Sequence, residues 1–279
     1  MPAQPRRLPM DNHVHTQFSY DRREQSSMRG ACERALELGI PALAFTDHLD
    51  FTVWQQGDHV GELGVEIEYP PRTTLLDVDA YLAELEECRG RYPDLRILSG
   101  VESGECHLFA SSLDAVLRRG RFERVLGSCH AVVHEGALVE VDTLFDVLPV
   151  AEVMQRYFAE VLRLVEGSSA FEVLAHCDFA RRYIPEGADE YLEKDYEEEY
   201  RAVFRALAAS GRALEVNTKS PLASVDLVRW WREEGGVAVS FGGDAHVPWL
   251  VGQRFAEAVD VVEQAGFRPG RDAYDFWRR

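Results

Sequence analysis

Nine histidines occur in the 279-residue sequence, and those at 13, 15, 48, 130, 176 and 246 each follow a short apolar run that reads as a strand. Carboxylates stand at comparable places: Asp11, Asp21, Asp47, Glu102, Asp178 and Asp244. His13-Val14-His15 and Asp244-Ala245-His246 are alternating pairs, so on an extended chain both side chains of each pair face one side. Two ligands from one short strand can share one ion. Imidazole and carboxylate together suit divalent metals, and such groups at successive strand ends are what a multinuclear centre requires. Glu102 lies in a Gly-Val-Glu-Ser-Gly setting unlike that of a routine surface glutamate, and Gly242-Gly243 lets the backbone approach closely just before Asp244.

The elements that must position these groups follow from hydrophobic period. Apolar runs at Leu8–Met10, Ala42–Phe45, Leu95–Leu98, Arg124–Leu126, Phe171–Ala175, Ala213–Val216 and Val237–Phe241 read as strands. Between them, helical spacing appears over Met28–Leu38, Val78–Arg89, Leu113–Arg119, Thr143–Glu166, Tyr191–Ala209, Val225–Glu234 and Phe255–Ala265. Asp77 is positioned to cap the second helix, and Pro149 should break the fourth. This alternation predicts parallel strands with crossover helices, an α/β chain. Candidate ligands at all the strand ends favour a distorted (β/α)7 barrel over a doubly wound sheet, whose ligand groups would gather at a switch point. Residues 1–279 are read as one domain. Residues 49–76 break the rhythm and carry Trp54, Gly57, Gly61, Gly64, Pro70 and Pro71; directly after Asp47-His48, they are read as a flap over the site.

Composition narrows the function. The formal charge of −18 disfavours long nucleic acid and anionic membrane as partners. No apolar run reaches the roughly 18 residues of a membrane span. Met1–Pro9 lacks the apolar core of a secretory signal. Five cysteines form no CxxC pair, which points to free thiols in a reducing, cytoplasmic setting. Cys129 and Cys177 adjoin candidate ligands, so strand alternation should turn these thiols away from the site. The oligomeric state is left open.

With these motifs in view, the sequence resembles the PHP (polymerase and histidinol phosphatase) superfamily of metal-dependent phosphoesterases. The matching pieces are Asp11-Asn12-His13-Val14-His15-Thr16, Thr46-Asp47-His48, Gly100-Val101-Glu102, Gly127-Ser128-Cys129-His130, Ala175-His176 and Gly243-Asp244-Ala245-His246. Glu215-Val216-Asn217-Thr218 and the His176-Cys177-Asp178 to Arg181-Arg182-Tyr183 stretch are most similar to stand-alone histidinol-phosphate phosphatases. The resemblance implies a seven-stranded barrel and two to three divalent ions. His13, His15, Glu102 and Asp244 would hold the first; Glu102, His130 and His176 the second; Asp21, His48 and His246 the third. Asp21 stands where such enzymes often carry a histidine, so the third position departs from the family pattern.

The expected chemistry is hydrolysis of a small phosphate monoester, with L-histidinol phosphate, a histidine-biosynthesis intermediate, the leading substrate. Divalent ions, Zn, Fe or Mn, lower the pKa of bound water and neutralise phosphoryl oxygens. Glu102, Asp244 and His246 are the expected catalytic groups. Arg181 or Arg182 supplies a bidentate fork for phosphate, with Asn217 beside it and Lys219 a weaker candidate. Asp47 is placed to orient a ligating histidine. His59, His107 and His134 are ambiguous, and Asp58, Glu62, Glu66 and Glu68 could pair with a substrate amine. Alternatives are a nucleotide or phosphodiester hydrolase of the same superfamily, a metal-dependent amidohydrolase, and a noncatalytic metal-binding scaffold. Amidohydrolases generally carry a lysine where this chain has Glu102.

Overall fold

A computed structural model describes residues 8–51, 66–67, 76–219 and 221–279. The first half of the chain supplies strands β1 (Asp11–Val14), β2 (Ala42–Leu49), β3 (Glu66–Ile67), β4 (Arg96–Gly104) and β5 (Arg124–Ser128). The second supplies β6 (Ala131–His134), β7 (Ala137–Glu140), β8 (Val173–Leu174), β9 (Ala213–Asn217), β10 (Ala238–Gly242) and β11 (Trp277–Arg278). The main sheet runs β1-β2-β4-β5-β8-β9-β10-β11, parallel throughout except for β11. Seven parallel strands in chain order are the expected barrel.

Closure explains the distortion. A parallel bridge joins Val14 to Ala245, and the His15 N–H donates to the Ala245 carbonyl at 2.9 Å. β11 pairs antiparallel with Ala238 and Val239, at the start of β10. β9 fills one edge of β10, so β1 and β11 share the other. The barrel is therefore sealed at its C-terminal end, where the candidate ligands lie, and wedged apart at its floor.

Strand alternation divides the interior into two. Leu43, Phe45, Val101, Val125, Leu214, Val216, Val239 and Phe241 pack outward with the helices in one large core. Between them, inward positions carry small apolar groups at the floor: Met10, Ala42, Ala44 and Leu98 in one cluster, Leu126, Val173, Ala213 and Ala238 in another. Further along the same strands those positions become His48, Glu102 and Glu215, all at most partly exposed. All five cysteines are free and buried, with Cys129 and Cys177 in the outer core as alternation requires.

The helices follow their sequence signals. Among the described residues α1 (Met28–Leu38) starts on Ser27, whose side chain accepts from the Gly30 N–H, and stops at Gly39 with φ 69°. α2 (Val78–Arg91) is capped by Asp77. α3 (Ala110–Leu117) is followed by a 3-10 turn at Thr143–Asp146, and Pro149 then opens α4 (Val150–Gly167) at the expected break. α5 (Glu197–Ala209), α6 (Val225–Glu233) and α7 (Phe255–Gln264) complete the outer layer.

Several features differ from the sequence reading, among them the antiparallel β11 and the start of α5 at Glu197 instead of Tyr191. β1 begins at Asp11, so His13 lies within the strand and not beyond it. The β6–β7 hairpin was not anticipated; it turns at Glu135-Gly136, both with positive φ, and pairs with β3. Most of the expected flap, including His59, lies outside the described residues.

Candidate active site

Glu102, inward on β4 and wholly buried, is the centre of the site. Its Oε2 lies 3.1 Å from His13 Nε2, 3.3 Å from His15 Nε2 and 3.1 Å from His48 Nδ1. Its Oε1 lies 2.7 Å from His176 Nε2 and 3.3 Å from His130 Nε2, and accepts from Ser128 Oγ at 2.6 Å. Asp244 Oδ1 stands 3.6 Å from His15 Nε2 and 3.5 Å from His246 Nδ1. Asp21 reaches in from the loop after β1, its Oδ2 2.7 Å from His246 Nε2 and 3.7 Å from His48 Nε2. All nine residues expected to hold metal converge on this pocket.

The proton inventory shows what the pocket is built for. His13 donates from Nδ1 to Glu215 Oε1 at 2.7 Å. Ser19 Oγ donates to Asp47 Oδ1 at 2.8 Å, which leaves its lone pair to take the Nδ1 proton of His15 at 3.0 Å. The Nε2 atoms of His13 and His15 therefore bear lone pairs, yet face each other at 3.0 Å. His48 Nδ1 and Glu102 Oε2, and His246 Nε2 and Asp21, approach closely but without hydrogen-bond geometry, and Asp21 Oδ1 is buried with no partner among the described residues. Converging, unsatisfied Lewis bases of this kind fit cations. Donor atoms of His13, His15 and Asp244, of His13, Glu102 and His176, of His15, His48 and His246, and of His48, Asp50 and His130 each lie within 4.8 Å of one another. The site is that of a divalent-metal centre.

With no cation bound, the carboxylates favour protons in its place: burial opposes charge on His13 and His130, but Glu215 and Glu102 raise the first and Asp50 and Glu102 the second well above the ordinary imidazole value. Burial works against charge on His48, but Glu102 and Asp21 outweigh it and push the imidazole up to about 9. Burial, with His246 and His48 nearby, holds His15 well below the ordinary imidazole value. Burial would raise Glu102, but His13, His48 and His130 hold it well below the carboxylate range. The backbone is also shaped here. Asp244 sits in the left-handed region with φ 47°, and a Cβ on Gly243 would come within 2.5 Å of Asp11 Oδ2.

The two arginines diverge. Arg182 Nη1 lies 2.8 Å from Asp244 Oδ2, and its Nη2 donates to Asn217 Oδ1 at 3.0 Å. Arg181 turns to Glu193 at 2.9 Å and lies over the Tyr191 ring. Lys219 Nζ reaches Asp244 Oδ1 at 3.0 Å. Asn217 is engaged within the protein by Glu215, Asp244, Arg182 and the Lys219 N–H. Asp47 binds the Thr16 N–H, Thr16 Oγ1 and Ser19 Oγ, so it reaches His15 only through Ser19. His107 pairs with Glu160 at 2.7 Å, and His134 lies near Arg156.

Three acids escaped the sequence reading of roles. Asp50, which had been grouped with the flap, is buried; it accepts from the Gly104 N–H at 2.9 Å and lies 3.2 Å from His130 Nδ1. Its signal was its place two residues beyond His48, on the same face of an extended chain. Glu105 takes the His130 and Ala131 N–H groups, and burial pushes its carboxyl up to about 8. Glu215 was noted only as part of a motif, and it holds His13.

The chain is similar to known proteins along most of its length. A Lactococcus lactis protein named histidinol-phosphatase is 26% identical over 271 residues, covering 92% of this chain and 91% of its own. A Deinococcus radiodurans protein named "probable histidinol-phosphatase" is 28% identical over 273 residues, covering 92% of this chain and 94% of its own. The crystal structure of histidinol phosphate phosphatase from Lactococcus lactis, complexed with zinc, L-histidinol and phosphate, matches with a TM-score of 0.78. That match covers 94% of this chain and 95% of the other at 23% identity, a likeness of fold. The sequence profile of the PHP domain matches residues 11–219, most of the chain and seven of the nine ligand positions, with Asp244 and His246 beyond it. The chain belongs to the PHP domain family.

Proposed function

We propose that this chain is a metal-dependent phosphatase that hydrolyses L-histidinol phosphate to L-histidinol and phosphate. The observation that carries the reading is the convergence of five imidazoles on Glu102, with Arg182 beside Asp244, in a chain similar along most of its length to proteins named histidinol-phosphatase. His13, His15, Glu102 and Asp244 are assigned to one ion, Glu102, His130 and His176 to a second, and Asp21, His48 and His246 to a third. An imidazole-rich donor set favours zinc, with iron and manganese the other candidates.

When bound, such ions supply a nucleophile from water near neutral pH and neutralise the phosphoryl oxygens. The protein's own contribution is positional. Asp50 and Glu105 hold His130 by its ring and its backbone. Asp47, through Ser19, fixes His15. Arg182 presents a planar fork next to Asp244, suited to two phosphate oxygens. A cationic amino alcohol also suits a chain of net charge −18. No described helix is long and apolar enough to cross a membrane. The five free thiols accord with a cytoplasmic enzyme.

Zinc- or manganese-loaded protein should release phosphate from L-histidinol phosphate with a kcat/KM at least about 100-fold above that for mononucleotides, sugar phosphates and phosphodiesters, a gap of about 2.7 kcal/mol. A preference for nucleotides or diesters would remove the substrate assignment and leave the metal-centred hydrolase.

A further inference from the structure

We propose that Glu215 is a positioning residue that couples the metal-ligating histidines to the phosphate-binding arginine. The proposal rests on the assignment of His13 and His176 as ligands and of Arg182 as the phosphate contact. Glu215 and Asn217 lie two apart on β9, so both face the barrel interior. The Glu215 side chain is wholly buried. Its Oε1 takes the His13 Nδ1 proton at 2.7 Å. Its Oε2 takes the His176 N–H at 2.8 Å and an Asn217 Nδ2 proton at 3.0 Å.

Each bond settles a different part of the site. The first leaves His13 Nε2 as the ligating atom and makes it a stronger donor. The second sets the point at which His176 leaves β8. The third fixes the Asn217 amide so that its Oδ1 faces Arg182 Nη2 at 3.0 Å. A continuous path thus runs from His13 through Glu215 and Asn217 to Arg182. Space for it depends on Gly242, where a Cβ would lie 2.0 Å from Glu215 Oε1 and 2.7 Å from His13 Cβ.

Glutamine cannot replace this carboxylate. Three N–H donors converge on two acceptor oxygens, and an amide would offer one oxygen while setting its own N–H groups against the remaining donors.

The test uses three readouts, none of which requires turnover. Long-range 1H–15N NMR of zinc-loaded wild-type protein should show His13 protonated at Nδ1; protonation at Nε2 would overturn the proposal. In Glu215→Gln, chelator competition should show zinc held roughly 10–100-fold more weakly, and binding of inorganic phosphate should weaken too. Asn217→Ala should weaken phosphate binding with zinc affinity within about twofold of wild type, because only the arginine arm is cut. With zinc kept saturating for every variant, the double variant should bind phosphate no more weakly than Asn217→Ala does; additive losses under that condition would remove the coupling through Asn217. Wild-type zinc affinity in Glu215→Gln would also overturn the proposal. If Glu215→Gln does not fold, the His13 tautomer and the Asn217→Ala result decide. Protein that passes these tests yet cleaves no phosphate ester would refute the phosphatase reading alone.

Discussion

Two clusters in the molecule pair a buried carboxylate with imidazole, and they have different meanings. On α4, Glu160 lies between His107 and Arg163. Its Oε1 meets His107 Nε2 at 2.7 Å, and its Oε2 accepts from Arg163 Nε at 3.1 Å. Here one acid has a donor on each oxygen, and among the described residues the single imidazole has no second ligating group beside it. At Glu102 one acid meets five imidazoles, and the Nδ1 atoms of His13 and His15 turn away from it, to Glu215 and Ser19. Lone pairs are left facing lone pairs. Histidine and carboxylate content therefore does not mark a metal centre; the direction of the protons does. Neighbouring groups set those directions, as Asp50 and Glu215 do here.

The sharpest way to break this contrast is to neutralise each central acid. Glu102→Gln should lose metal by elemental analysis and fall more than about 1000-fold in kcat/KM, beyond the roughly 10–100-fold typical of a supporting residue. A variant that kept its full metal complement would refute a central role for Glu102. The next effect separates the two arginines. Arg182→Ala should raise KM for the phosphate ester roughly 10–100-fold, the scale of a lost charge-assisted bond. Arg181→Ala, whose partner is Glu193, should stay within about threefold in the same steady-state assay. Equal effects would mean that Arg182 holds no special place.

The smallest effect should fall on the Glu160 cluster. Glu160→Gln should lower stability by on the order of 2 kcal/mol in urea titrations, with metal content and kcat/KM retained. The two clusters should also respond oppositely to pH. Burial would raise the Glu160 carboxyl, but His107 and Arg163 hold it below its ordinary value of 4.5. Its contribution is therefore present above about pH 4.5 and lost as pH falls through the folded-state value, a loss that Glu160→Gln should not show. His48 has the reverse sign, raised from 6.5 to about 9. In chelated protein its contribution is complete below 6.5 and disappears as pH rises through about 9. Unfolding curves of chelated wild type and Glu160→Gln across this range would decide both signs.

Much of this was legible in the sequence because barrel strands repeat. The parallel barrel strands after β1, the Asp77 cap and the Pro149 break were readable from period and local stereochemistry, while β1 starts at Asp11, just beyond the run read for it. The β6–β7 hairpin was missed because its strands are short and leave His130 without a polar spacer. Asp50 was missed because it follows His48 so closely that it was grouped with the long segment beyond it. The roles of Asp47 and Asn217 were readable only in part. Asp47 reaches its histidine through Ser19, and Asn217 joins Glu215 to Arg182.

By itself the sequence determined which residue types recur at successive strand ends, and hence the barrel, the candidate ligands and the general chemistry. Strand period and residue identity are local properties, visible along the chain. Only the tertiary structure decided which arginine faces the site, that Asp50, Glu105 and Glu215 support its histidines, and that His107 pairs with Glu160 outside it. Those outcomes depend on which donors and acceptors meet across the barrel. Such meetings join residues as distant as His13 and Glu215, whose contact is made only when β1 closes against β10 and the ring of strands is complete.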